Sequence, residues 1–209
     1  PNWCYNNVKI SFDSENETEL RDKVADDKEL FSQFFPIPEE EKENWYDWNI
    51  TNWGTKWDIG IIDWERRDEN EVWISMNTAW SPPVTLYAYL VEQGWEVDAI
   101  YHEGGMGYAG IYTTEDGEGF DDYYEYDVTD ESSIDNLPSD IVEFAGLEDA
   151  HRDWVINELE DQWGDAERTD WIPATTPPVR DGWYEVKTEG WDFPQFCKYD
   201  ELLEWDNYN

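Results

Sequence analysis

A chain with 52 Asp and Glu against 13 Lys and Arg, hence a formal charge of -39, resists compaction unless it has much apolar surface to bury; these 209 residues include 15 Trp, 13 Tyr and 8 Phe. Acidity alone describes a disordered tail, which lacks the surface to offset the entropy of chain ordering. An aromatic share of 17% argues against that description. The charge therefore belongs to a folded body, and the length suits one ordinary domain or one domain with a small appended module.

The sign of the charge narrows the partners. Nucleic-acid binding rests on Lys and Arg displacing counterions, so direct binding of DNA or RNA is disfavoured, as is an anionic membrane. A partner rich in Arg and Lys is favoured, steered by a salt-sensitive field. No apolar run approaches the ~18 to 20 residues of a spanning helix. Pro1-Asn2-Trp3-Cys4-Tyr5 has no basic stretch leading into an apolar one, so no secretory signal is expected and the host-cell cytoplasm is the expected compartment. Cys4 and Cys197 lie near opposite ends without metal spacing and are expected as free thiols, which leaves the sequons at Asn16 and Asn49 idle.

Periodicity gives a sequence of elements. Val8, Ile10 and Phe12 alternate with polar residues after Trp3 and Tyr5, which predicts a strand from Trp3 to Phe12. Leu20, Val24, Leu30, Phe31 and Phe34 approach helical spacing and stop before Pro36. After an acidic linker at Glu39 to Glu43, the second half of the aromatic segment Trp45 to Trp64 is expected to be a strand. Its hairpin partner follows from Glu71 to Thr78 beyond a charged turn at Arg66 to Asn70. Ser81-Pro82-Pro83 opens the clearest helix, with Ser81 as expected N-cap, Val84, Leu86, Tyr87, Leu90 and Val91 on one face and Gly94 as the stop. Strands are expected at Trp95 to Tyr101 and Tyr108 to Thr113 around the turn Gly104-Gly105-Met106-Gly107. The fold class is α+β: a ferredoxin-like, split βαβ antiparallel sheet with two helices on one face, plus an acidic helical extension and a small C-terminal β module.

Four segments carry a resemblance. Pro1-Asn2-Trp3-Cys4-Tyr5-Asn6, Asn52-Trp53-Gly54-Thr55-Lys56-Trp57-Asp58, Thr78-Ala79-Trp80-Ser81-Pro82-Pro83 and Tyr101-His102-Glu103-Gly104-Gly105-Met106-Gly107-Tyr108-Ala109-Gly110 resemble, in order, the signatures of the Api92-like proteins. The resemblance covers about residues 1–115 and implies a ferredoxin-like domain of phage or mobile-element origin. It brings no catalytic residues, and this chain departs from the family in its extreme acidity.

Beyond it, residues 116–170 hold 20 acidic residues against Arg152 and Arg168, a balance of -18. Leu147 to Trp163 is predicted as a helix with Trp154, Val155, Leu159 and Trp163 on its apolar stripe, docked on the body. After Pro173, Pro177 and Pro178, the repeated Gly182-Trp183 and Gly190-Trp191 with alternating Tyr184, Val186 and Thr188 predict a small aromatic hairpin module. The expected organisation is residues 1–115, 116–171 and 172–209.

The search for chemistry yields little. There is no Gly-x-Ser-x-Gly, and His102 and His151 are the only histidines. His102-Glu103 is the best acid–base pair, beside a Gly-rich segment that lacks the Lys, Ser/Thr and helix start of a phosphate loop. The run from Asp116 to Asp122 lacks the ligand order of an EF-hand. No catalytic residue, metal or cofactor is expected. Trp53, Trp57, Trp73 and Trp80 are expected to fill the core; the alternative, base stacking on an RNA-recognition sheet, is opposed by the charge.

Two accounts explain the acidity. Haloadaptation uses surface carboxylates for solubility, whereas mimicry of DNA, which carries one charge per ~1.7 Å of axis, places carboxylates in the channel of a basic protein. The expectation adopted is a non-enzymatic DNA-mimic inhibitor of a basic, Arg/Lys-rich host protein of nucleic-acid-binding or defence type. Its expected contact residues are Asp116, Glu118, Asp121, Asp122, Glu125 and Asp127, with Tyr123, Tyr124 and Tyr126 stacking on partner guanidinium groups. Glu148, Asp149, Asp153, Glu158, Glu160 and Asp161 on the acidic helix complete the set. The alternative is a phage structural or accessory subunit bound through the aromatic C-terminal module.

Overall fold

The computed structural model describes residues 2–11, 29–59, 63–68, 71–163, 182–186, 195–200 and 204–205. The chain divides into two compact units, Pro1–His151 and Arg152–Asn209.

In the first unit, strands β1 (Trp3–Ser11), β2 (Asp63–Asp68), β3 (Glu71–Ala79), β4 (Glu96–Glu103), β5 (Tyr108–Glu115) and β6 (Glu118–Glu125) form one sheet in the order β2-β3-β1-β4-β5-β6. Every neighbouring pair is antiparallel. The helices are α1 (Leu30–Phe34), α2 (Trp45–Asn52, after a 3-10 turn at Glu39–Asn44), α3 (Val84–Glu92), α4 (Glu131–Asp135), α5 (Ser139–Ala145) and α6 (Leu147–Trp163), the last crossing into the second unit.

Side-chain alternation explains the layers. In β1, Cys4, Asn6, Val8 and Ile10 are buried; Val72, Ile74 and Met76 of β3 and Val97, Ala99 and Tyr101 of β4 are buried with them. Leu86, Tyr87, Leu90 and Val91 of α3 cover this face at helical spacing, joined by Phe31, Trp48 and Trp53. Trp53 meets Phe31 and Trp48 edge-on at 5.7 and 5.5 Å, and its indole N–H donates to the Phe35 carbonyl at 2.9 Å. A second core forms on the opposite face, where Ala109 of β5 packs with Tyr126, Ile134, Ile141 and Leu147, flanked by Ile100, Ile111 and Tyr124.

Helices therefore lie on both faces, not on one as the element order had suggested. The cause is β6. Asp116 and Gly117 take φ of 51° and 80°, which turns the chain back onto β5. Residues 116–151, expected as an extension, belong to the first unit, and β6 and the chain after it build the second core. Pairing is made by the backbone, so an acidic strand is admissible at a sheet edge where its side chains meet water.

Other boundaries also differ. Of the helical stretch expected through Leu20, Val24, Leu30, Phe31 and Phe34, the segment Leu30–Phe34 is helix, while residues 12–28 lie outside the described residues. β2 continues through Arg66 to Asp68, shortening the expected turn. Trp45–Asn52, unassigned by periodicity, is α2. Pro83 occupies the cap position of α3, and the Ser81 hydroxyl donates instead to the Gly54 carbonyl at 2.6 Å. In the second unit, β7 (Gly182–Val186), β8 (Gln195–Asp200) and β9 (Glu204–Trp205) form an antiparallel sheet in that order.

Candidate functional site

Antiparallel pairing brings the start of β1, the end of β3 and the β4–β5 turn to one end of the sheet. The four segments singled out in the sequence meet there. The Trp80 N–H donates to the Asn2 carbonyl at 3.0 Å, the Thr55 hydroxyl to Ala79 O at 2.9 Å, and the Tyr108 hydroxyl to the Trp80 carbonyl. The Asn6 amide donates to the Thr78 hydroxyl at 3.0 Å, which donates to Ser81 O at 2.7 Å. These bonds hold Trp80 at φ 71°, a left-handed conformation that a bulky residue adopts only under tertiary constraint.

They enclose a cleft of about 660 Å³. Asn2, Gly54, Trp80, Ser81 and Pro82 line one part, with Val84 from the start of α3; Tyr101, Met106 and Tyr108 of the β4–β5 hairpin line another, and Asp121 and Tyr123 of β6 complete it. Tyr108 and Tyr123 stack with centroids 5.4 Å apart. The Tyr101 hydroxyl donates to Asp121 Oδ1 at 2.8 Å. Gly110 makes this possible, because a Cβ there would lie 2.2 Å from the Tyr101 hydroxyl. Burial pushes Tyr101 and Tyr108 well up from the ordinary phenol value, so both stay protonated. Burial also raises Asp121, against the hydrogen bond from Tyr101 that lowers it. Lys56 Nζ sits 4.3 Å from the Trp80 ring centroid and 4.4 Å from that of Trp57.

The turn beneath the cleft is organised by Glu103, which is buried and accepts the N–H groups of Gly105 and Met106 at 3.1 and 2.6 Å. His102, next in sequence, points to the other face, stacked on Tyr5 at 5.1 Å and edge-on to Phe144 at 5.5 Å. Strand alternation thus separates the His102-Glu103 pair that the sequence had offered as acid and base. Burial lowers the His102 pKa. His151 Nδ1 lies 2.6 Å from the Val128 carbonyl. Cys4 is a free thiol, fully buried, its pKa pushed up to about 12 by burial, which leaves it without thiolate reactivity at neutral pH. Among the described residues no group of three or more His, Cys, Asp and Glu is placed to hold a metal ion, and no helix is long and apolar enough to cross a membrane.

The expected contact residues divide. Asp116 lies in the β5–β6 turn, and Glu118, Asp121, Asp122, Tyr123, Tyr124 and Glu125 lie on β6. Register puts Asp121 opposite Tyr112 and Asp122 opposite Ile111, so Asp121 and Tyr123 share the cleft face while Asp122 and Tyr124 share the other. Asp127 accepts the backbone N–H and hydroxyl of Thr129 at 2.9 and 2.8 Å, and these bonds, the N–H first, hold its carboxyl below the usual range. Tyr126 is buried in the second core, which corrects the expectation that its ring is offered to a partner, whereas Tyr124 is half-buried against that core. Glu148, Asp149, Asp153 and Glu158 are exposed on α6; the side chains of Glu160 and Asp161 lie outside the described residues. Of the four tryptophans expected in the core, Trp53 is there, Trp57 and Trp73 are half-buried, and Trp80 is exposed at the cleft.

Every Asp and Glu from Glu115 to Asp149 is exposed, and no Lys or Arg occurs between Asp68 and His151. Comparisons of the sequence with protein-family models and with curated proteins, and of the fold with solved structures, return no match.

Proposed function

We propose that this protein is a non-enzymatic acidic binding protein that occupies the nucleic-acid channel of a basic host protein, acting as a DNA-mimic inhibitor. The observation that carries this reading is the unbroken exposure of carboxylates from Glu115 to Asp149 with no Lys or Arg in that span. A folded scaffold fixes them, so a cationic partner meets a standing field and not a collapsing polyanion. The order β2-β3-β1-β4 of the first four strands, with antiparallel pairing throughout, supports a ferredoxin-like core extended by β5 and β6. That core, together with the four ordered segments, supports an Api92-like phage or mobile-element protein working in the host cytoplasm.

The test is competition. Titrated into a complex of duplex DNA with a basic, sequence-independent DNA-binding protein at low salt, the chain is expected to release the DNA. A variant carrying Glu118→Gln, Asp122→Asn and Glu125→Gln is expected to release it less well, and high salt is expected to abolish the effect. Failure to release DNA at low salt would overturn the reading, and release that persists at high salt would favour a packed subunit interface in its place.

A further inference from the structure

We propose that the cleft between Trp80, Tyr101 and Tyr123 is a guanidinium site that receives an arginine side chain of the basic partner. This inference rests on the function proposed above and names the anchor through which the partner is held.

Size comes first. At about 660 Å³ the cleft falls within the ~300 to 1,000 Å³ of ordinary ligand pockets and exceeds what a single side chain displaces, so an arginine can enter with its aliphatic stem. The walls come next. Trp80, Tyr108 and Tyr123 supply aromatic surface, and Pro82 and Met106 supply apolar surface suited to that stem. Among the described residues, Asp121 is the only charged one lining the cleft. Its Oδ1 accepts the hydrogen bond that the Tyr101 hydroxyl donates at 2.8 Å, which orients the carboxylate and leaves Oδ2 to accept from a ligand.

A neutral apolar ligand would strand that carboxylate, and an anion would be repelled by it and by Glu118, Asp122 and Glu125 on the same strand. A cation satisfies it. That one of these rings accepts a cation is already visible at Trp80, over which the Lys56 ammonium lies. Between ammonium and guanidinium, the planar group stacks on flat rings while its N–H fork reaches a carboxylate, which suits a cleft combining three aromatic walls with one acid. The surrounding carboxylates concentrate such a side chain near the entrance.

The experiment is calorimetric titration of the whole protein with acetyl-Gly-Arg-Gly amide and with the same peptide carrying citrulline, which keeps shape and removes charge. Saturable binding of the arginine peptide, at least tenfold tighter than the citrulline peptide, is expected. Asp121→Asn and, independently, Tyr123→Ala are expected to weaken it tenfold or more, whereas Asp122→Asn, which removes the same charge from the other face of β6, leaves it within twofold. Absence of saturable binding, equal affinity for the two peptides, or equal losses from Asp121→Asn and Asp122→Asn would overturn the proposal. Failure is separable from that of the inhibitor reading: DNA release without arginine binding sinks the cleft alone, and arginine binding without DNA release sinks the inhibitor alone.

Discussion

The cleft end of the sheet and the acidic span from Glu115 to Asp149 treat polar groups in opposite ways. At the cleft end, hydroxyls and amides of Asn6, Thr55, Thr78, Ser81, Tyr101 and Tyr108 bond across segments far apart in sequence. In the acidic span the carboxylates of Asp127 and Asp130 accept bonds from within two residues, from Thr129 and Ser132. The first region uses polarity to fix a shape; the second exposes its carboxylates. Substitutions at the cleft end should therefore read out in stability, and those in the acidic span in binding.

The largest expected effect is Gly110→Val. A Cβ there would lie 2.2 Å from the Tyr101 hydroxyl and 2.8 Å from the Asp122 carbonyl, and the second obstacle is backbone. A loss of about 3 kcal/mol is expected in urea unfolding, with the Tyr101–Asp121 bond broken. A cost below ~0.5 kcal/mol would mean that the hairpin yields freely and the cleft is not rigid.

Next comes a pH effect on the far face. Burial lowers the His102 pKa in the folded state, so the unfolded chain takes up a proton first as pH falls. His102 therefore costs stability progressively from the ordinary histidine range down to its own lowered value, and the penalty is constant below that. Thermal unfolding between pH 8 and pH 5 should show a smaller loss in a His102→Phe variant, which keeps the stack on Tyr5, than in the parent. An identical loss in both would place the pH dependence elsewhere.

The smallest expected effect belongs to the acidic span. The triple variant Glu118→Gln, Asp122→Asn, Glu125→Gln should unfold within about 0.5 kcal/mol of the parent, because exposed edge-strand side chains carry little of the fold. A destabilisation of several kcal/mol would erase the contrast between the two regions.

Sequence alone determined the properties that reside in a segment: the alternation of β1, β3, β4 and β5, the apolar stripe of α3 with its stop at Gly94, and the excess of carboxylates. Each depends on neighbours within a few positions, and period and charge can be read without knowing the partner strand. Tertiary structure alone decided that Asp116-Gly117 returns the chain as a sixth strand, that Tyr126 is interior, and that Asp121 and Asp122 point to opposite faces. It also decided that the Trp80 loop meets the β4–β5 hairpin. These follow from which strand pairs with which and in what register, and that is settled by burial and backbone pairing between residues distant in the chain, where a shift of one position exchanges the two faces.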